Sequence, residues 1–114
     1  MTDRSAVQPL TTQVFQILLS LADQDLHGYA IIQDVAERTD GEVHLTASTL
    51  YAAVKRLLDQ GLIDEVASRS RDDDLRRRYY RLTPAGRKAA RDEALRVERL
   101  AAMARAKRLL PSTR

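Results

Sequence analysis

The chain has 114 residues, 31% of them charged, and its 19 Lys and Arg against 16 Asp and Glu give a formal charge of +3. That length holds one modest hydrophobic core and no separate catalytic domain. With no cysteine in the sequence, disulfides, thiolate nucleophiles and Cys-based zinc sites are excluded together.

No apolar run approaches the roughly 18 residues of a membrane span. Met1–Leu10 has no apolar stretch of signal-peptide length, so the chain reads as soluble, unexported and cytoplasmic, with no membrane partner. Residues 1–9 and 111–114 read as flexible ends. A first helix is expected from about Thr11 to Ala22. Its apolar residues fall on two adjacent stripes, one of Leu10, Val14, Ile17 or Leu18 and Leu21, the other of Phe15, Leu18, Leu19 and Ala22. An arc that wide needs a second partner besides the core.

Asp23–Leu26 reads as a turn. A second helix follows from about His27 to Thr39, with Ile31, Ile32, Val35 and Ala36 inward and Gly41 as the stop. A third opens at Thr46, a good N-cap, and repeats Leu50, Val54, Leu57 and Leu58 inward until Gly61. Leu62–Arg69 and Arg77–Leu82, rich in Ile, Val and Tyr, are the arms of a hairpin joined by Ser70–Arg76. Thr83 and Pro84 form an N-cap followed by proline at the first helical position. From there an Ala-rich helix is expected to run to about Leu110 and stop at Pro111. The segment Ala85–Leu110 carries eight basic against three acidic residues.

The fold expected is mainly α with a small β-hairpin: a winged helix-turn-helix head over residues 10–83 and a long C-terminal dimerisation helix over 84–110. In that arrangement the third helix enters the DNA major groove. At 100° per residue its outward face carries Ser48, Ala52, Lys55 and Asp59, flanked by Tyr51 and Arg56, with Thr49 near the helix start. Small hydroxyls bond base edges or phosphates, Ala52 suits a thymine methyl, Lys55 reaches a guanine edge or a phosphate, and Tyr51 donates to a phosphate. A solvated face with a surface tyrosine is the plain alternative. The hairpin favours nucleic acid, because Arg76, Arg77, Arg78, Tyr79, Tyr80 and Arg81 place four arginines beside two tyrosines. Asp72–Asp74 count against a simple basic tip and read as a solvated turn rather than a metal site.

Three segments carry a resemblance. LTTQVFQILLSLADQDLHGYAIIQDV, LTASTLYAAVKRLLDQGLI and RRRYYRLTPAGRKA are similar to the PadR family of bacterial transcriptional regulators, in its short-tailed, subfamily-2-like branch, over about Leu10–Leu110. The most specific pieces are His27-Gly28-Tyr29, Thr49-Leu50-Tyr51 and Tyr79 to Thr83. The resemblance implies a dimeric repressor on two-fold symmetric double-stranded DNA, pairing through its first and last helices. A neighbouring operon, and its own gene, are the expected targets.

The expected interface is Phe15, Leu18 and Leu19 with Ala90, Ala94, Val97, Leu100, Ala101 and Ala104. A small hydrophobic effector, or else a protein partner, is expected to act at this interface among Phe15, Leu19, Val97, Leu100 and Met103, with a fully packed interface as the alternative. Family members that stack planar drugs use tryptophan at the dimer centre, and this chain has none. His27 reads as structural and His44 as a surface or phosphate-contacting residue; no metal or other cofactor is expected. No nucleophile–base pair, Gly-rich phosphate loop or paired carboxylates suggest an enzyme. A winged-helix protein-interaction module without DNA binding remains the rival, since fold does not fix function.

Overall fold

The computed structural model describes residues 9–67 and 78–112. Within them the order is α1 (Thr12–Ser20), β1 (Leu26–His27), α2 (Gly28–Arg38), α3 (Ala47–Asp59), β2 (Ile63–Val66), β3 (Tyr79–Leu82) and α4 (Pro84–Ala106). The expected Asp72–Asp74 turn, the arginines Arg76 and Arg77, and the ends at 1–8 and 113–114 lie outside the described residues.

Every helix starts on a side-chain cap. Thr11, His27, Thr46 and Thr83 each accept a backbone N–H three residues on, from Val14, Ala30, Thr49 and Gly86. The end of α3 falls where Gly61 predicts it. Gly61 takes a φ of +73°, and the Leu62 N–H closes back on the Leu57 carbonyl at 3.0 Å, the left-handed exit that glycine adopts without steric cost. Helix α2 departs slightly from expectation, since Asp40 as well as Gly41 turns left-handed.

Two boundaries differ more. Asp23–Leu26 is not wholly a turn, because Leu26 and His27 form a short strand antiparallel to Tyr80 and Tyr79. The sheet is therefore three-stranded in the order β1-β3-β2, with β3 central, rather than a lone hairpin. The strands β2 and β3 are also shorter than expected. Helix α4 stops at Ala106, not Leu110: Arg108 adopts a φ of +65°, and Leu109 N–H donates to the Ala104 carbonyl at 2.8 Å. Pro111 disfavours a helical residue before it, and the Arg105 Nε instead bonds the Pro111 carbonyl at 2.8 Å.

The core gathers Ile17 and Leu18 of α1 with Leu21 that caps it, Ile31 and Val35 of α2, Leu45, and Leu50, Val54 and Leu57 of α3, closed by Ile63, Tyr80 and Leu82 from the sheet. Leu18 is wholly buried there. Its expected place at a dimer interface is corrected accordingly: Ile17, Leu18 and Leu21 belong to the chain's own head, whereas Leu19 of the other stripe is exposed. Buried Ser20 fits because Asp34 accepts its hydroxyl at 2.7 Å while Arg38 donates to it at 2.7 Å. The same Arg38 bonds Gln16 and Asp34, tying α1 to α2. Burial pushes the Asp34 carboxyl up, but hydrogen bonds from Arg38 and Ser20 and the Arg38 charge outweigh it and hold it below the ordinary range.

Candidate nucleic-acid interface

Helix α3 presents the surface expected of a recognition helix. Leu50, Ala53, Val54 and Leu57 anchor it in the core, leaving Ser48, Ala52, Lys55, Arg56 and Asp59 exposed together along the opposite face. Thr49 is half-buried and belongs to the cap: its N–H donates to the Thr46 Oγ1 at 3.1 Å, and the Thr46 hydroxyl donates to its own at 3.0 Å. It holds the helix start rather than facing outward freely.

Tyr51 is half exposed, but its ring end is laid against the start of α2. A Cβ at Gly28 would collide with the Tyr51 hydroxyl, so glycine is needed there for close approach. Tyr29, 62% exposed beside them, is a surface aromatic of the His27-Gly28-Tyr29 piece to which the sequence reading gave no site role.

The described residues of the wing are tied by pairing. Arg78 is exposed and stands 3.8 Å from the Glu65 carboxylate, a loose solvent-facing pair. Tyr79 is half-buried with its ring edge-on to His27, the centroids 5.3 Å apart. That contact makes it a support for the sheet edge more than a free DNA-contacting group. His27 caps α2 through Nδ1, at 3.2 Å from the Ala30 nitrogen, so its role is structural as expected. His44 is exposed just before α3. Arg81 is held by Asp25 through two parallel bonds of 3.0 and 2.7 Å, joining β3 to the segment before β1. Buried Tyr80 has its phenol pushed up by burial, with Tyr51 and Glu65 adding to it.

The second candidate surface is apolar. Leu19 of α1 and Val97, Leu100 and Met103 of α4 are exposed, at 36%, 42%, 48% and 61%. Phe15 beside them is half-buried, Ala94 is exposed, and Ala101 and Ala104 are half-buried. Ala90 packs on the head's own core. Leu95, Leu109 and Leu110 are also exposed; they lay off the small-residue stripe and were missed. A shallow cavity of about 410 Å³ lies elsewhere, lined by Leu21, Ala22, Asp23, Gln24, Asp25, Arg81, Leu82 and Arg87. None of the five expected effector residues lines it. Among the described residues no group of His, Asp and Glu could hold a metal ion, and no helix is long and apolar enough to cross a membrane.

A helix-turn-helix pair followed by a small sheet and a long trailing helix defines the winged helix-turn-helix class. Residues 17–92 match the Transcriptional regulator PadR-like family, and the chain belongs to that family. It is 34% identical over 85 residues to the Transcriptional regulator Rv3488 of Mycobacterium tuberculosis, covering 75% of each chain. It spans 64% of the length of a Lysinibacillus sphaericus relative, to which it is 32% identical over 71 residues. The fold matches a PadR family regulator of Clostridium difficile R20291 with a TM-score of 0.72 and 28% identity, over 82% of this chain and 94% of that one. It also matches Bacillus subtilis PadR, solved in complex with operator DNA, with a TM-score of 0.63 and 25% identity, over 74% of this chain and 47% of that one.

Proposed function

We propose that this transcriptional regulator is a homodimeric repressor that binds a two-fold symmetric operator. The observation that carries the reading is the exposed row Ser48, Ala52, Lys55 and Arg56 on a helix whose other face is locked into the core. Ser48 and Ala52 read base edges, Lys55 and Arg56 take bases or phosphates, and Arg78 with Arg76 and Arg77 of the wing holds the backbone. The operator complex of the Bacillus subtilis relative supports the same use of the head. The exposed apolar face of α4, with Phe15 and Leu19 of α1, supports pairing of two copies. Two-fold symmetry then sets the recognition helices about one DNA turn, roughly 34 Å, apart. A small hydrophobic molecule entering between Phe15, Leu19, Val97, Leu100 and Met103 relieves repression if it binds the DNA-incompetent arrangement more tightly.

The test is titration of fluorescent duplex selected from a random library, at rising salt. With about 6 to 10 phosphate contacts, affinity should fall on the order of a thousandfold or more between 50 and 200 mM salt. Arg78→Ala should weaken all sequences alike, and Ser48→Ala should change the preferred one. A salt-independent response with no selected sequence would instead favour a protein-interaction module.

A further inference from the structure

One carboxylate has no part in the reading above. Glu93 is 5% exposed and sits midway along α4, on the face that begins with Gly86 and Ala90. At 100° per residue that face continues through Val97, Leu100 and Ala104. Up to Glu93 it lies on the head; beyond, its large side chains stand in solvent. Glu93 marks the place where α4 leaves its own core.

Its oxygens are fully engaged. Oε1 accepts the Leu10 backbone N–H at 3.1 Å, across 83 residues of sequence, and the Arg96 Nε at 3.0 Å; Oε2 pairs with Arg96 Nη2. One turn of α4 is thereby tied to the strand of chain leading into α1. An apolar residue here would pack as well as its neighbours but would slide. A carboxylate with directed bonds fixes rotation and tilt.

We propose that Glu93, with Arg96, is a positioning residue: a latch that sets the direction in which α4 leaves the head and so the separation of the two recognition helices in the dimer. This rests on the dimer reading. The magnitudes make it matter. From Glu93 to Ala106 the helix extends about 20 Å at ~1.5 Å per residue, so a tilt of about 10° displaces its end by about 3.5 Å. That equals roughly one base-pair step of ~3.4 Å. The hydrogen bond from Arg96 is the first cause holding the Glu93 carboxyl below its ordinary range, followed by burial in the opposite sense and the Leu10 bond. The latch therefore stays ionised at neutral pH.

The absence of cysteine makes a clean test available. Asp59→Cys, exposed at the end of α3, carries one spin label per protomer, and pulsed dipolar spectroscopy on the full-length dimer reads the label-to-label distance. With Glu93 intact, one narrow distance is expected. Glu93→Ala and Arg96→Ala should at least double its width or move its mean by about a base-pair step, and Glu93→Gln, which keeps the Leu10 acceptor, should fall between. Should Glu93→Ala fail to fold, Arg96→Ala, one-third exposed, decides alone. Distributions superimposable on the parent's in a folded dimer overturn the latch and leave the function reading intact. No dipolar signal in the parent, with monomer by light scattering, overturns the dimer reading and the latch with it.

Discussion

Helix α3 and the outer half of α4 are both amphipathic, yet they are stabilised differently. Helix α3 satisfies its apolar face inside the protomer, burying Leu50, Ala53, Val54 and Leu57 in thirteen residues. Helix α4 is 23 residues long and buries Gly86 and Glu93. It is helical because of its alanines, its Thr83 cap with Pro84 behind it, and pairs such as Lys88 with Asp92 at 2.7 Å. Burial fixes the first helix; propensity, more than burial, holds the outer half of the second. One helix is held rigid by the head, and the other leaves it.

The largest effect should come at the joint between them. A Cβ at Gly86 collides with the Leu62 carbonyl oxygen, and backbone on both sides leaves nothing to turn away. Gly86→Ala should cost about 3 kcal/mol or more, read as the urea midpoint; an unchanged midpoint would mean the joint is soft and the division between regions false. Within the head, Leu50→Ala should cost about 3 kcal/mol. The matching truncation Leu100→Ala should change the dilute protomer by no more than about 0.5 kcal/mol. Leu100→Glu should raise the dimer dissociation constant at least tenfold, about 1.4 kcal/mol, by sedimentation. Equal losses from the Leu50 and Leu100 truncations at nanomolar protein would break the comparison.

A smaller effect belongs to the reading surface. Gly28→Ala forces the Tyr51 ring end aside and should cost about 1 kcal/mol in stability. Tyr51→Ala in the same chain should remove most of that cost by thermal denaturation, since the obstruction is a side chain. The smallest effect is the pH response of the two carboxylate ties, Glu93 in α4 and Asp34 in the head. Both are held below their ordinary range. Their contribution is therefore complete above that range, declines as pH falls into it, and is lost below the folded-state values. Glu93→Gln should flatten the acid limb of a stability–pH curve measured on the dimer; an unchanged limb would assign acid lability to the head alone.

Much of this could be read from residue order. The cap threonines at 46 and 83, the glycine exit at 61 and the 3.6-residue spacing of Leu50, Val54 and Leu57 are local signals, and the structure follows them. The exposed row on α3 follows from that spacing too. What escaped has non-local causes. Strand β1 is two residues long and exists because Tyr79 and Tyr80 arrive from more than fifty positions away. Leu18 sits on the seam of two stripes, and its side was settled by how α1 packs on the rest of the head. Glu93 reads as one more charge on a basic helix until Leu10 is brought to it, and Tyr51 reads as outward until Gly28 makes room.

The wing hangs from a closed ring. Thr83 N–H donates to the Leu62 carbonyl at 3.1 Å and its hydroxyl to the Gly61 carbonyl at 2.7 Å, so the chain that leaves α3 returns to within one residue of its departure. Whatever lies between is spliced in at a fixed base, and doubling its length costs only about 0.6 kcal/mol of closure entropy. A change of length between these two points therefore leaves α3 undisturbed. Under the proposed function, grip on the phosphate backbone and choice of sequence then become two separately heritable traits.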